Sequence, residues 1–234
     1  TISIYENNIY VADNIGFVYS IGLENGNLLW IKNHEIPIKS DIKVFNNKIF
    51  LINQDNKIFC LNAKDGSLIW NILSISSFIK SQNLLSLAIT QDGHLLAITS
   101  SADIFKIKAD SGDVIWSRNT ADSLYANATD FFTSSGITIN NDNIVFSSGS
   151  NIYSLKLSTG ETNWKQEVSS TSTPIISDQN VFIVSDHGYF IILDANTGEI
   201  ISSSNILKVL PTHERSGRLS SLTQSGKRGI SDFT

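Results

Sequence analysis

Five short segments of this chain share one pattern, and all four of its tryptophans occupy the same place in it. The segments are Glu24-Asn-Gly-Asn-Leu-Leu-Trp30, Lys64-Asp-Gly-Ser-Leu-Ile-Trp70, Asp110-Ser-Gly-Asp-Val-Ile-Trp116, Ser158-Thr-Gly-Glu-Thr-Asn-Trp164 and Asn196-Thr-Gly-Glu-Ile-Ile-Ser202. Their glycines are Gly26, Gly66, Gly112, Gly160 and Gly198, at spacings of 40, 46, 48 and 38 residues. A fixed Gly-to-Trp phase recurring at this interval marks a repeat architecture. A parallel β-helix needs a shorter repeat, and a β-sandwich supplies no reason for the phase.

Each unit reads as four strands. In the second unit the expected strands are Ile42–Phe45, Lys48–Asn53, Lys57–Ala63 and Ser67–Asn71. Asn46-Asn47, Asp55-Asn56 and Asp65-Gly66 separate them, and these residue types tolerate the positive φ of tight hairpins. The other units repeat the scheme, with turns expected at Asn7-Asn8, Asp92-Gly93, Asn141-Asp142 and Asp178-Gln179. No helical period of useful length occurs in the first 200 residues. The fold class is therefore all-β: a propeller of four-stranded antiparallel blades, about five of them present, in an incomplete seven- or eight-bladed ring. Blade limits are expected near 1–34, 35–73, 74–120, 121–168 and 169–207. In this scheme each glycine forms the left-handed turn between the outer two strands, and each indole inserts between adjacent blades. Trp30 is expected to be the more exposed one if its neighbouring blade is absent.

Charged residues make up only 17% of the chain, and the formal net charge of −5 argues against a nucleic-acid partner. The single cysteine, Cys60, excludes an internal disulfide and any multi-cysteine metal site, and its apolar surroundings mark it as a buried strand residue. His34, His94, His187 and His213 fall in different units without a second ligand at metal-binding spacing. No catalytic residue, cofactor or metal is expected. The chain opens inside strand-like sequence, which suggests a fragment or a processed chain.

Leu193-Asp-Ala-Asn-Thr-Gly198 and Lys108-Ala-Asp-Ser-Gly-Asp-Val-Ile-Trp116 resemble the pyrroloquinoline-quinone-type propeller repeat. The stretches that begin at Asn8 and at Asn47 are similar to divergent members of the BamB family of outer-membrane assembly lipoproteins. That resemblance implies a periplasmic, eight-bladed, non-catalytic scaffold attached to the outer membrane by an N-terminal lipid. It also implies a protein partner, the barrel-inserting subunit of the assembly machinery. The same blade occurs in quinoprotein dehydrogenases, whose adjacent cysteine pair cannot exist with one cysteine. A ligand- or protein-binding sensor propeller is a third possibility.

The two widest spacings place extra residues after Trp70 and Trp116. These insertions carry Phe78, Tyr125, Phe131 and Phe132, which are candidates for partner contact on one face of the ring, or else for local core beneath it. Residues 208–234 leave the pattern: this Ser- and Gly-rich tail is net basic and is expected to be disordered.

Overall fold

The computed structural model of the protein describes residues 1–74, 84–121 and 133–208. Within them, five separate four-stranded sheets follow one another, each an antiparallel meander in chain order. Blade 1 consists of β1 (Ile2–Tyr5), β2 (Asn8–Ala12), β3 (Phe17–Gly22) and β4 (Leu28–Asn33). Blade 2 has β5 (Lys43–Phe45), β6 (Lys48–Ile52), β7 (Lys57–Asn62) and β8 (Leu68–Leu73). Blade 3 has β9 (Leu87–Ile89), β10 (His94–Ile98), β11 (Asp103–Lys108) and β12 (Val114–Asn119). Blade 4 has β13 (Thr138–Asn140), β14 (Asn143–Ser148), β15 (Asn151–Lys156) and β16 (Thr162–Gln166). Blade 5 has β17 (Ile175–Ser177), β18 (Asn180–Val184), β19 (Tyr189–Asp194) and β20 (Ile200–Asn205). A 3-10 turn over Ile206–Lys208 is the sole helical segment among the described residues. Strand β1 lies beside β5, β5 beside β9 and β13 beside β17, so the first strand of each blade is the innermost and the fourth forms the rim.

Strand chemistry follows blade position. Blades 2 to 4 have a neighbour on either side, so their second strands bury consecutive residues, as in Ile49-Phe50-Leu51-Ile52 and Leu95-Leu96-Ala97-Ile98. Among the described residues blades 1 and 5 have a neighbour on one side only, and β2 and β18 alternate between buried and more exposed positions. Four apolar clusters fill the four seams. The first joins Tyr10, Ala12 and Val18 of blade 1 to Ile49, Leu51, Phe59 and Leu61 of blade 2. The others use Phe50 and Ile58 against Leu95 and Ile107, Ile98 and Ile104 against Phe146 and Leu155, and Val145 and Ile152 against Val181 and Leu193. Burying each such side chain is worth about 1.5–3 kcal/mol, so the seams supply the core that a lone four-stranded sheet lacks.

The hairpin turns have the expected chemistry, with one shift. Asn46 and Asn47 both adopt left-handed conformations (φ 47° and 58°), as a mirror-image two-residue turn requires. In blade 1 the turn residues are Glu6 and Asn7, one position before the expected Asn7-Asn8, because Tyr5 pairs with Asn8. That register points Tyr10 and Ala12 toward blade 2.

The Gly-x-x-x-Trp signature is a latch between blades. The indole of Trp70 lies against Gly112 of the next blade, where a β-carbon would sit 2.9 Å from the ring. Its Nε1 donates to the Ala109 carbonyl at 3.0 Å. The arrangement repeats for Trp30 against Gly66, Trp116 against Gly160 and Trp164 against Gly198. Their acceptors are the carbonyls of Ala63, Leu157 and Ala195, each three residues before the glycine that the indole covers. One backbone turn thus supplies both a flat, side-chain-free surface and a hydrogen-bond acceptor. Trp30 is half-buried although blade 2 is in place beside it. Among the described residues, the position without a partner is Gly26, which has nothing within 4 Å. In blade 5 the tryptophan position is occupied by the exposed Ser202, opposite Ile192 on β19.

Candidate partner-binding face

Because each blade is an up-and-down meander, the two ends of the ring differ. One end carries the β1–β2 and β3–β4 type turns, including the latch glycines. The other carries the turns between second and third strands together with the crossovers from one blade to the next. Those crossovers are tied to the turns: His34 N–H donates to Gly16, Gln54 to Pro37, Thr120 to Ala102, Gly149 to Thr133 and Asp186 to Ser169. The two long insertions are crossovers of this kind, so both are rooted on this end. Ser74 Oγ donates to Asp103 Oδ2 at 3.2 Å, and Ala121 N–H donates to Asn119 Oδ1 at 3.0 Å. Phe78, Tyr125, Phe131 and Phe132 themselves lie outside the described residues, as do residues 209–234 of the tail.

Polar bridges across the seams hold this end rigid. Asn56, with positive φ in the β6–β7 turn, accepts from Ser100 N–H at 3.0 Å and from Ser100 Oγ at 2.8 Å. Its Nδ2 donates to Ser101 Oγ at 3.0 Å. At the next seam Tyr153 Oη donates to the Thr120 carbonyl at 3.0 Å, and the Thr120 and Ser148 hydroxyls share a 2.6 Å bond. Sequence reasoning did not anticipate these bridges, because an isolated Asn in a turn and a Tyr in a strand look like ordinary residues of their elements.

Two carboxylates at this end, Asp13 and Asp186, are committed to its turns and crossovers. Asp13 Oδ1 accepts from the amides of Ile15 and Phe17, and Oδ2 from Tyr19 Oη. Burial opposes ionisation of Asp13, but these bonds outweigh it and hold its carboxyl below the usual range. Asp186 accepts from Ser169 Oγ and from both Thr171 N–H and Thr171 Oγ1. At the opposite end, Asp65 and Asp194 are depressed by hydrogen bonds within their own turns, from Ser67 and from Thr197 and Asn196 respectively. His34 packs on Phe59 with ring centroids 4.9 Å apart, and burial, aided by Lys57 and Lys32, lowers its pKa. His94 Nδ1 is 3.0 Å from Asp92 Oδ2 in the β9–β10 turn, without the geometry of a hydrogen bond. Cys60 is fully buried, and burial pushes its thiol up to about 12. Among the described residues no group of three or more His, Cys, Asp or Glu side chains is placed to hold a metal, and no helix is long and apolar enough to cross a membrane.

The comparisons agree with this architecture. A family model described as outer membrane protein assembly factor BamB matches residues 3–204, all but the ends of the five sheets. The outer membrane protein assembly factor BamB of Moranella endobia is 23% identical over 223 residues, covering 85% of this chain and 55% of the relative. That of Yersinia pestis is 19% identical over 246 residues, covering 94% of this chain and 60% of the relative. The chain thus spans little more than half the length of these relatives. Among solved structures, BamB from Moraxella catarrhalis superposes with a TM-score of 0.66 at 19% identity, over 88% of this chain and 60% of that one. A quinohemoprotein alcohol dehydrogenase from Comamonas testosteroni reaches 0.70 at 13% identity, over 88% of this chain and 42% of that one. At such identities the structural likeness shows the fold alone.

Proposed function

The chain belongs to the BamB family of outer membrane protein assembly factors, and on that premise we propose that it is a non-catalytic protein-binding scaffold of the outer-membrane β-barrel assembly machinery. The observation that carries the reading is the family match across residues 3–204, which includes all four latches among the described residues. Its partner in this reading is the barrel-inserting subunit, met on the periplasmic side of the outer membrane. The mechanism is display. Latches and seam bridges hold five blades rigid, and the crossover end presents the two insertions to the partner at little ordering cost beyond the loops themselves. Phe78, Tyr125, Phe131 and Phe132 supply the aromatic anchors.

The test is co-elution of the purified chain with the purified barrel-inserting subunit on a sizing column. The unmodified chain is expected to co-elute. The variant carrying Phe78→Ala, Tyr125→Ala, Phe131→Ala and Phe132→Ala is expected to elute alone while keeping its circular dichroism. A folded chain that never co-elutes would sink the scaffold reading. Uptake of a quinone together with alcohol-dependent dye reduction would move the protein to the dehydrogenases.

A further inference from the structure

A cavity of about 420 Å³ is lined by four consecutive blades and is unused by the role above. Its walls come from the stretches that lead into or begin β5, β9, β13 and β17, so it lies at the ring axis and not within a seam. Leu85 and Leu87 are buried in its floor beside the half-buried Ile137, while Asp41 and Thr173 are exposed at its mouth. Gly136 lets the wall close, since a β-carbon there would run into the Thr173 side chain.

The polar groups in this cavity divide into those already bonded and those left open. Ser86 Oγ donates to the Ser135 carbonyl, and Thr171 Oγ1 to Asp186. The Asp41 carboxylate, the Lys43 ammonium and the Ser134 and Thr173 hydroxyls make no side-chain hydrogen bond or ion pair among the described residues. Other lysines of these blades do pair, Lys48 with Asp110 and Lys108 with Asp113. Asp41 and Lys43 are two positions apart, so their α-carbons are separated by at most about 7 Å, the reach of two extended residues. One open anion and one open cation on neighbouring positions of one strand entry, above an aliphatic floor, suit a short zwitterion. A multiply charged anion would meet a single ammonium and an opposing carboxylate.

We propose that this axial cavity binds a free aliphatic peptide of about dipeptide length. Asp41 receives its terminal ammonium, Lys43 its terminal carboxylate, and Leu85, Leu87 and Ile137 its side chains. Ser134 and Thr173 hydrogen-bond its peptide group. The site goes beyond the scaffold role and does not depend on it.

The experiment titrates the full chain with unblocked Leu-Leu by calorimetry and by amide chemical-shift perturbation. Saturable binding is expected, with the shifts centred on residues 41–43, 85–87 and 134–137. N-acetyl-Leu-Leu-amide is expected to bind at least tenfold more weakly, and this comparison requires no variant. Asp41→Asn and Lys43→Gln should each weaken Leu-Leu at least tenfold while the unfolding midpoint stays in place. Absence of saturable binding, equal affinity for the blocked peptide, or variants that bind as well as the unmodified chain would each overturn the assignment. The cavity opens on the crossover end, but Leu-Leu binding is measured without the barrel-inserting subunit, so the two proposals fail separately.

Discussion

Replacing Gly112 by alanine adds one methyl group at a latch, and Gly26 supplies the matched control. Both glycines have similar left-handed backbones, with φ of 79° and 68°. Placing an L-residue there costs about 1–2 kcal/mol at either position. At Gly112 the new methyl would also lie 2.9 Å from the Trp70 ring, whereas at Gly26 no described residue lies within 4 Å. Pushing the indole aside adds an overpacking cost of about 1–3 kcal/mol. Gly112→Ala should therefore destabilise the chain by about 2–5 kcal/mol, and Gly26→Ala by only about 1–2 kcal/mol. For a chain of this size each kcal/mol lowers the thermal midpoint by about 2–4 °C. Calorimetry of both variants gives the comparison, and hydrogen exchange of the Trp70 indole reports on the seam directly. Equal losses for the two substitutions would refute the argument, because the backbone penalty would then be the whole effect and the latch would contribute nothing.

Other predictions follow from the same structure. Asn56→Ala strands the buried Ser100 amide, which should cost about 1–3 kcal/mol and speed hydrogen exchange at Ser100 well before Trp116 loosens. His34 has a lowered pKa when folded, so the unfolded chain binds more protons just below the ordinary histidine range. Its contribution is complete above pH about 6.5 and is lost as the pH falls from there toward the folded pKa. His34→Phe should flatten that part of the stability–pH profile measured by urea titration; an unchanged slope would exclude His34 as its source. Cys60, with its thiol pushed up to about 12, should resist a thiol-specific disulfide reagent in the folded chain and react at once in denaturant. Fast reaction under native conditions would show that the seam between blades 2 and 3 opens readily.

The four Gly-x-x-x-Trp segments and the fifth that ends in Ser202 contained the blade architecture because blades are built from local pairings. A two-residue turn such as Asn46-Asn47 sets the register of its own hairpin, and alternation then assigns the faces. The burial of Cys60 was legible for the same reason: its apolar run belongs to an interior strand. Tertiary structure alone decided which glycine each indole meets, since Trp70 covers Gly112 of the next blade and not Gly66 of its own. It also decided that Gly26, and not Trp30, is the latch position left without a partner among the described residues. The bond from Asn56 to Ser100 spans 44 positions, and the cavity groups Asp41, Lys43, Ser134 and Thr173 come from three blades. No motif can announce such groupings, because they arise from the angle between neighbouring blades, which depends on how whole faces pack and not on any residue's local preference.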